Sequence, residues 1–126
     1  MFRILVADKI GSAGIRRLEE ESDVTVDVKT GLPKAELCSL IPTYDALLVR
    51  SSTRVDADLL SMAPKLRVIG RAGMGVDNID VAAATARGIL VMNTPGVNSI
   101  ATAEHTILLM LAAARHTAEA HQSVHQ

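Results

Sequence analysis

Five short runs rich in Val, Ile and Leu recur along the chain, and each leads through a polar loop into a segment able to form a helix. This alternation constrains the fold most strongly, because strands joined by helical crossovers run parallel, with helices on both faces of the sheet. The predicted strands are residues 2–7, 24–28, 45–49, 66–69 and 89–92. The predicted helices are residues 12–21, 33–41, 56–62, 80–87 and 100–121.

The second run, residues 24–28, alternates β-branched and polar residues, which predicts a strand with one wetter face at a sheet edge. Five strands in this rhythm fit a flavodoxin-like α/β fold, with strand order 2-1-3-4-5 and helices on both faces. We expect residues 1–98 to form this domain and residues 99–126 to continue as a long C-terminal helix.

The composition excludes several classes of function. The 13 Lys and Arg residues nearly balance the 14 Asp and Glu residues, so bulk charge favours neither nucleic acid nor a membrane surface as a partner. The longest apolar run, residues 107–114, is too short to cross a bilayer, and Asp8 comes too early for a signal peptide. The single cysteine, Cys38, fits a reducing compartment, so the expected location is cytoplasmic.

Polar residues gather in the loops that follow the predicted strands. Arg50 follows the third strand and Arg71 follows the fourth, so both guanidinium groups can reach a shared anion at the carboxyl end of the sheet. The planar fork of Arg suits a carboxylate or phosphate because it donates two parallel hydrogen bonds. The alternative is that each Arg pairs with a local acid, such as Asp77 or Asp80.

The segment between the fourth strand and the next helix contains Gly70, Gly73 and Gly75. Its backbone N–H groups can converge on a small anion. A dinucleotide fingerprint fails here, because Asn78 stands at the third glycine position and no acid ends the fifth strand. A phosphate-receiver domain fails too, because that chemistry needs an Asp where Arg50 stands.

The remaining reactive residue types point to no reaction centre. His105 fits a packing or capping role better than a base, and the spacing of His121 and His125 fits an incidental metal pair. Cys38 is interpreted as core filler, since nothing nearby would activate its thiol. No nucleophile–base–acid set is evident, so no catalytic residue is assigned.

Four segments of this sequence resemble the N-terminal lobe of the D-3-phosphoglycerate dehydrogenases, which belong to the NAD-dependent D-2-hydroxyacid dehydrogenases. They are Leu48-Val-Arg-Ser-Ser-Thr53, Val68-Ile-Gly-Arg-Ala-Gly-x-Gly-Val-Asp-Asn-Ile-Asp80, Gly88-Ile-Leu-Val-Met-Asn-Thr-Pro95 and Asn98-Ser-x-x-x-Ala-Glu104. The family oxidises 3-phospho-D-glycerate to 3-phosphooxypyruvate with NAD, the opening step of serine biosynthesis. The resemblance implies that residues 1–98 form a substrate-binding domain facing a cleft.

The resemblance also implies which residues contact a small anionic substrate. They are Arg50, Ser51, Arg71, Ala72, Gly73, Gly75 and Asn98. The 71–75 loop would bind the substrate carboxylate through backbone N–H groups. A weaker implication is a cofactor contact at Met74, where the family often has Thr, whose hydroxyl Met lacks.

The family's nucleotide-binding loop and its catalytic Arg, Glu and His come after the position of Gln126. We therefore expect the 126-residue chain to act as a truncated substrate lobe, without dehydrogenase activity and without tight NAD binding. The apolar character of residues 108–114 predicts a homodimer through the helix at residues 99–121. The alternative is a non-catalytic flavodoxin-like scaffold, or a self-assembling fragment, that binds no ligand.

Overall fold

The computed structural model describes residues 1–124, which form five strands, six α-helices and one 3₁₀ turn at Ile41–Thr43. The strands are β1 (Phe2–Val6), β2 (Val24–Val28), β3 (Ala46–Val49), β4 (Val68–Arg71) and β5 (Leu90–Asn93). The helices are α1 (Ser12–Glu19), α2 (Lys34–Leu40), α3 (Ala57–Ser61), α4 (Val81–Ala86), α5 (Ser99–Ala114) and α6 (Thr117–Val124).

All neighbouring strands are parallel, and their order is β2-β1-β3-β4-β5. This confirms the predicted flavodoxin-like α/β fold and the edge position of β2. Because β3 and β4 lie in the interior of the sheet, each is paired on both sides. Their carboxyl ends therefore hold the loops that follow them in fixed positions.

The main cluster of buried apolar residues lies on one face of the sheet. Its fully buried strand residues are Leu5, Leu47, Val49 and Ile69. The helical residues in the same cluster are Leu37 from α2, Leu59 and Leu60 from α3, and Ala84 from α4. Burying each Leu or Ile side chain contributes roughly 1.5–3 kcal/mol to stability. Cys38 packs against this cluster, as its interpretation as core filler predicts.

The fourth strand lies two residues later than predicted, and this changes the setting of two candidate residues. Gly70 and Arg71 belong to β4, where Gly70 is the register partner of both Leu48 and Met92, and Arg71 of both Val49 and Asn93. The prediction ended the strand at the first glycine. Pairing with strands on both sides overrides the weak strand propensity of Gly.

The predicted single C-terminal helix is wrong in one respect, since a turn at Arg115 and His116 separates α5 from α6. His116 has a φ of 49°, a left-handed conformation that ends a helix by turning its N–H toward an earlier carbonyl, here that of Ala113. Its Nδ1 lies 3.0 Å from a carboxylate oxygen of Glu119. The spacing of His121 and His125 is interpreted as incidental, with no metal site predicted, and His125 lies outside the described residues.

The chain divides into two compact units, Met1–Pro95 and a second that begins at Gly96. The predicted functional division at residue 98 stays a prediction. In the second unit, α5 exposes more than half of each large apolar side chain from Ile107 to Leu111. Across residues 1–124, no helix has both the length and the apolar character that a bilayer span requires.

Candidate functional site

Asp8, at the carboxyl end of β1, shapes the loop that follows β3. Its side chain is buried, with 4% exposure. One carboxylate oxygen accepts the backbone N–H groups of Arg50, Ser52 and Thr53 at 2.7, 3.1 and 3.0 Å. The other accepts the Thr53 hydroxyl at 2.6 Å. A single carboxylate therefore binds three of the four backbone N–H groups in the 50–53 loop, together with one hydroxyl group.

The same hydrogen bonds control the ionisation of Asp8. Burial by itself raises the pKa of this carboxyl group, because it disfavours the charged form. The bonds from Thr53, Arg50 and Ser52 outweigh burial and hold the pKa below its ordinary value of 3.8. Asp8 is thus a charged acceptor at neutral pH, and its lone pairs are directed to the loop.

Asn78 fastens the other side of this loop. Its Nδ2 donates to the carbonyl oxygens of Arg50 and Thr53 at 2.8 and 2.7 Å. Its Oδ1 accepts the Nε–H of Arg71 at 2.6 Å. Both N–H groups and the oxygen of one amide thus connect the loop after β3 to the loop after β4.

A short backbone bridge joins the same two loops. The N–H of Val55 donates to the Asn78 carbonyl, and the N–H of Asp80 donates to the Val55 carbonyl, each at 2.8 Å. The Asp80 carboxylate caps α4 by accepting the Ala83 N–H at 2.9 Å. The two loops are therefore joined at the start of α4 by backbone as well as side-chain bonds.

Arg71 is the last residue of β4 and leads into the glycine loop, residues 72–78. Its side chain is only 9% exposed. Besides its bond to Asn78, it forms an ion pair with Asp77 at 3.3 Å. A Cβ atom on Gly73 would lie 2.5 Å from its Nη1, and one on Gly75 would lie 3.9 Å away. The alternative of a local pairing, with Asp77 rather than Asp80, is therefore the arrangement observed for Arg71. The glycine at position 73 makes room for its guanidinium group.

The glycine loop is fixed from β5 as well. The N–H of Thr94 donates to the Gly73 carbonyl at 3.0 Å, and Nδ2 of Asn93 donates to the Met74 carbonyl at 2.6 Å. The Met74 side chain is 48% exposed. The sequence assigned Asn93 no individual role, so this anchoring contact was not predicted.

Several backbone donors of the loop remain for a ligand. The N–H of Ala72 donates to the Val49 carbonyl, and that of Gly73 donates to the Arg71 carbonyl. Within residues 1–124, by contrast, the N–H groups of Gly75, Val76, Asp77 and Asn78 have no protein acceptor. The donors that can meet an anion therefore lie slightly later in the loop than Gly73.

The remaining predicted contacts fall in two places. Arg50 and Ser51 are exposed, and among the described residues no acid pairs with the Arg50 guanidinium. Asn98 belongs to the second unit, where its carbonyl accepts the Thr102 N–H at the start of α5. The structure thus brings Arg50, Ser51, Arg71 and the glycine loop together at the carboxyl ends of the strands.

A cavity of about 270 Å³ opens beside these loops. Its walls are mostly apolar and come from the ends of β3, β4 and β5. The residues that line it are Ile10, Leu48, Val49, Val68, Gly70, Arg71, Ala72, Met92, Asn93 and Thr94.

The described residues do not fit a complete dinucleotide site. Gly73 leaves room for the Arg71 guanidinium, and a Cβ atom on Gly70 would lie 2.5 Å from a methyl group of Leu48. The third glycine position holds Asn78, whose two Nδ2 hydrogens and Oδ1 all bond protein groups. These glycines are explained by protein packing, without a pyrophosphate.

The family model for the D-isomer specific 2-hydroxyacid dehydrogenase catalytic domain matches residues 4–126. The chain belongs to this family. A D-3-phosphoglycerate dehydrogenase from Methanocaldococcus jannaschii is 52% identical over 98% of the chain, and one from Archaeoglobus fulgidus is 51% identical over 97% of it. The chain spans only 23% of the length of each of these two relatives.

Solved structures agree with this assignment. The TT0316 protein from Thermus thermophilus is 39% identical and has a TM-score of 0.84, with 94% of this chain and 38% of that chain covered. A cofactor (NAD⁺)-bound 3-phosphoglycerate dehydrogenase from Entamoeba histolytica is 32% identical, with a TM-score of 0.77 and coverage of 88% and 38%.

Proposed function

We propose that these 126 residues form the substrate-binding lobe of a D-3-phosphoglycerate dehydrogenase. The observation that carries the proposal is the exposed Arg50 beside a glycine loop whose unpaired N–H groups, within residues 1–124, include those of Gly75 and Val76. The names of the similar D-3-phosphoglycerate dehydrogenases support 3-phospho-D-glycerate as the substrate. The whole protein would oxidise the hydroxyl of this substrate to the ketone, with NAD as the oxidant.

The substrate carboxylate suits the donors of the glycine loop. One carboxylate oxygen would accept the N–H groups of Gly75 and Val76, and the Arg50 guanidinium would bind the same anion through its planar fork. Ser51 would donate its hydroxyl from the same loop as Arg50.

The other predicted contacts would act less directly. Arg71 would act from beneath the loop, where it already contacts Asn78 and Asp77. Ala72 and Gly73 would keep the backbone close to the ligand, while Asn98 remains a proposed contact from the second unit.

We further propose that residues 1–126 alone bind the substrate weakly and do not oxidise it. Hydride transfer needs a cofactor and an acid–base group held beside the reacting carbon. The described residues that meet at the loops are hydrogen-bond donors, cations and packing groups. None of them is assigned as an acid–base residue, and tight NAD binding is not expected.

A second copy of the chain is the proposed protein partner. The segment at residues 99–121 would form the contact, because α5 carries a run of exposed apolar side chains from Ile107 to Leu111. Exposed apolar patches of this kind favour association, since burial removes them from water.

The test is a titration of ¹⁵N-labelled protein with 3-phospho-D-glycerate, with D-glycerate and inorganic phosphate as comparison ligands. We expect amide shifts at Gly75, Val76 and Arg50 with the substrate, smaller shifts with D-glycerate, and no pattern at these residues with phosphate alone. An absence of shifts with 3-phospho-D-glycerate would favour the non-catalytic scaffold. Formation of NADH by the 126-residue chain would refute the proposed inactivity.

A further inference from the structure

We propose that Asn78 is a positioning residue that couples Arg50 to Arg71 in the substrate site. This inference rests on the proposed function, since it explains how the two arginines act on one anion. It assigns a role to a side chain that lies outside the predicted contact set.

Both N–H groups and the oxygen of the Asn78 amide are hydrogen-bonded to the protein. Its two Nδ2 bonds, at 2.8 and 2.7 Å, hold the carbonyl groups at both ends of the 50–53 loop. Its Oδ1 holds the Arg71 Nε–H at 2.6 Å. Because an amide is rigid and planar, the loop carbonyl groups and the Arg71 side chain are fixed relative to each other.

The two arginines occupy different environments. Arg50 is exposed and ready to meet a ligand, whereas Arg71 is largely enclosed by its own loop. A cation beneath the glycine loop makes the backbone above it more favourable for an anion. Through Asn78, the position of this cation is tied to the backbone carbonyl of Arg50, from which the exposed side chain extends.

Asp8 and Asn78 hold different groups of the 50–53 loop. Asp8 binds the N–H groups of the 50–53 loop, and Asn78 binds its carbonyl groups. The bonds of Asp8 go to this loop, whereas Asn78 is the side chain that bonds both arginine-bearing segments. Removing Asn78 should release the coupling while Asp8 still holds the loop.

The experiment compares Asn78→Ala with Asp80→Ala in ¹⁵N-labelled protein. Asp80 lies two residues away and caps α4, so its loss weakens local structure while the three hydrogen bonds of the Asn78 side chain remain. For Asn78→Ala we expect faster solvent exchange of the Arg71 Nε–H and roughly tenfold weaker binding of 3-phospho-D-glycerate. For Asp80→Ala we expect the Arg71 signal and the affinity to stay as in the wild type.

Asn78→Asp is the second variant, because it keeps an oxygen for Arg71 and loses both Nδ2 donors. It should retain the protected Arg71 Nε–H while increasing the backbone mobility of residues 50–53. It also keeps the inference testable if the alanine variant fails to fold, since unchanged mobility of residues 50–53 in Asn78→Asp would overturn it.

The outcomes separate the two proposals. Wild-type affinity in Asn78→Ala, or an equal loss in Asp80→Ala, would overturn the positioning role while leaving the proposed function intact. A wild-type protein that shows no shift with 3-phospho-D-glycerate would overturn the proposed function and, with it, the role of Asn78 in substrate binding. In that case the Arg71 signal would still report whether Asn78 couples the two segments.

Discussion

At the scale of single residues, the candidate site depends on two side chains that hold loops in place. Asp8 gathers N–H groups from the loop after β3, and Asn78 gathers its carbonyl groups and the Arg71 side chain. Both are partly or fully removed from solvent, so their hydrogen bonds are worth more than those of exposed residues. The positions of the residues proposed to contact the ligand therefore depend on Asp8 and Asn78.

Replacing Asp8 by Ala should lower the free energy of unfolding by about 2–4 kcal/mol, because four donors lose a charged acceptor. Urea unfolding at neutral pH measures the change. Asp58→Ala is the matched control, since its exposed carboxylate pairs with Lys34 at the surface and its loss should have a much smaller effect. A loss in Asp8→Ala no larger than in this control would contradict the assigned role.

The pH dependence of stability gives a second test of Asp8. Its pKa is lowered on folding, so its contribution is complete above its ordinary value of 3.8 and declines as pH falls toward the folded value. The pKa values of Asp27 and Asp56 are also lowered, mainly by hydrogen bonds from Tyr44 and Lys34. We therefore expect the difference in unfolding free energy between wild type and Asp8→Asn to shrink below about pH 4. A difference independent of pH would count against the assignment.

Gly73 and Gly14 form a matched pair of glycine substitutions. Gly73→Ala should displace the Arg71 guanidinium, because the new Cβ would lie 2.5 Å from its Nη1. Gly14 lies in α1, where an added Cβ would meet nothing within 4 Å, so Gly14→Ala should stabilise the protein by about 0.5–1 kcal/mol. Thermal unfolding should move in opposite directions for the two variants. A higher melting temperature for Gly73→Ala would show that Arg71 does not occupy this space.

At the scale of elements, the sequence was informative where apolar runs and crossovers decide the outcome. It predicted the five strands and their order because parallel pairing with short helical connections leaves few arrangements. It placed β4 too early, because Gly70 and Arg71 look like loop residues until their neighbours on both sides supply hydrogen bonds. It also missed the break at His116, because no proline or glycine marks it.

The candidate site was predictable to a similar degree. The sequence placed Arg50 and the glycine loop at the same end of the sheet, as the structure does, because both follow interior strands whose carboxyl ends meet. That they contact a ligand stays a prediction. It left the partner of Arg71 open between an anion and a local acid, since distance alone decides between them. It missed the roles of Asp8, Asn78 and Asn93, because a side chain that bonds distant backbone groups leaves no local pattern. An acid directly after a buried strand is the one signal that pointed toward Asp8.

The second unit offers a test at the level of one helix. If α5 mediates self-association, Leu108→Gln should shift sedimentation from dimer toward monomer, because Leu108 is 59% exposed within the apolar run. Leu90→Gln is the control, since Leu90 is 58% exposed but lies on β5. A strictly monomeric wild type at high concentration, or an equal effect of the two variants, would contradict the proposed contact.

At the scale of the whole molecule, the polar loops lie at the carboxyl ends of the parallel strands, and the hydrophobic core packs against a face of the sheet. The interior strands β3 and β4 hold the two arginine-bearing segments side by side, and β5 anchors the glycine loop through Asn93 and Thr94. This arrangement gives a rigid set of donors beside the exposed Arg50. The ligand proposed for these donors, 3-phospho-D-glycerate, is a D-2-hydroxy acid.

The central claim is that Arg50 and the adjacent glycine loop bind 3-phospho-D-glycerate. The most direct measurement compares the dissociation constants of the wild type, Arg50→Gln and Arg54→Gln by NMR titration. Arg54 is an exposed cation four residues later, so it matches the change in charge without belonging to the proposed contacts. We expect roughly tenfold or greater weakening for Arg50→Gln and little change for Arg54→Gln. Equal affinities for wild type and Arg50→Gln, or an equal loss in both variants, would contradict the claim.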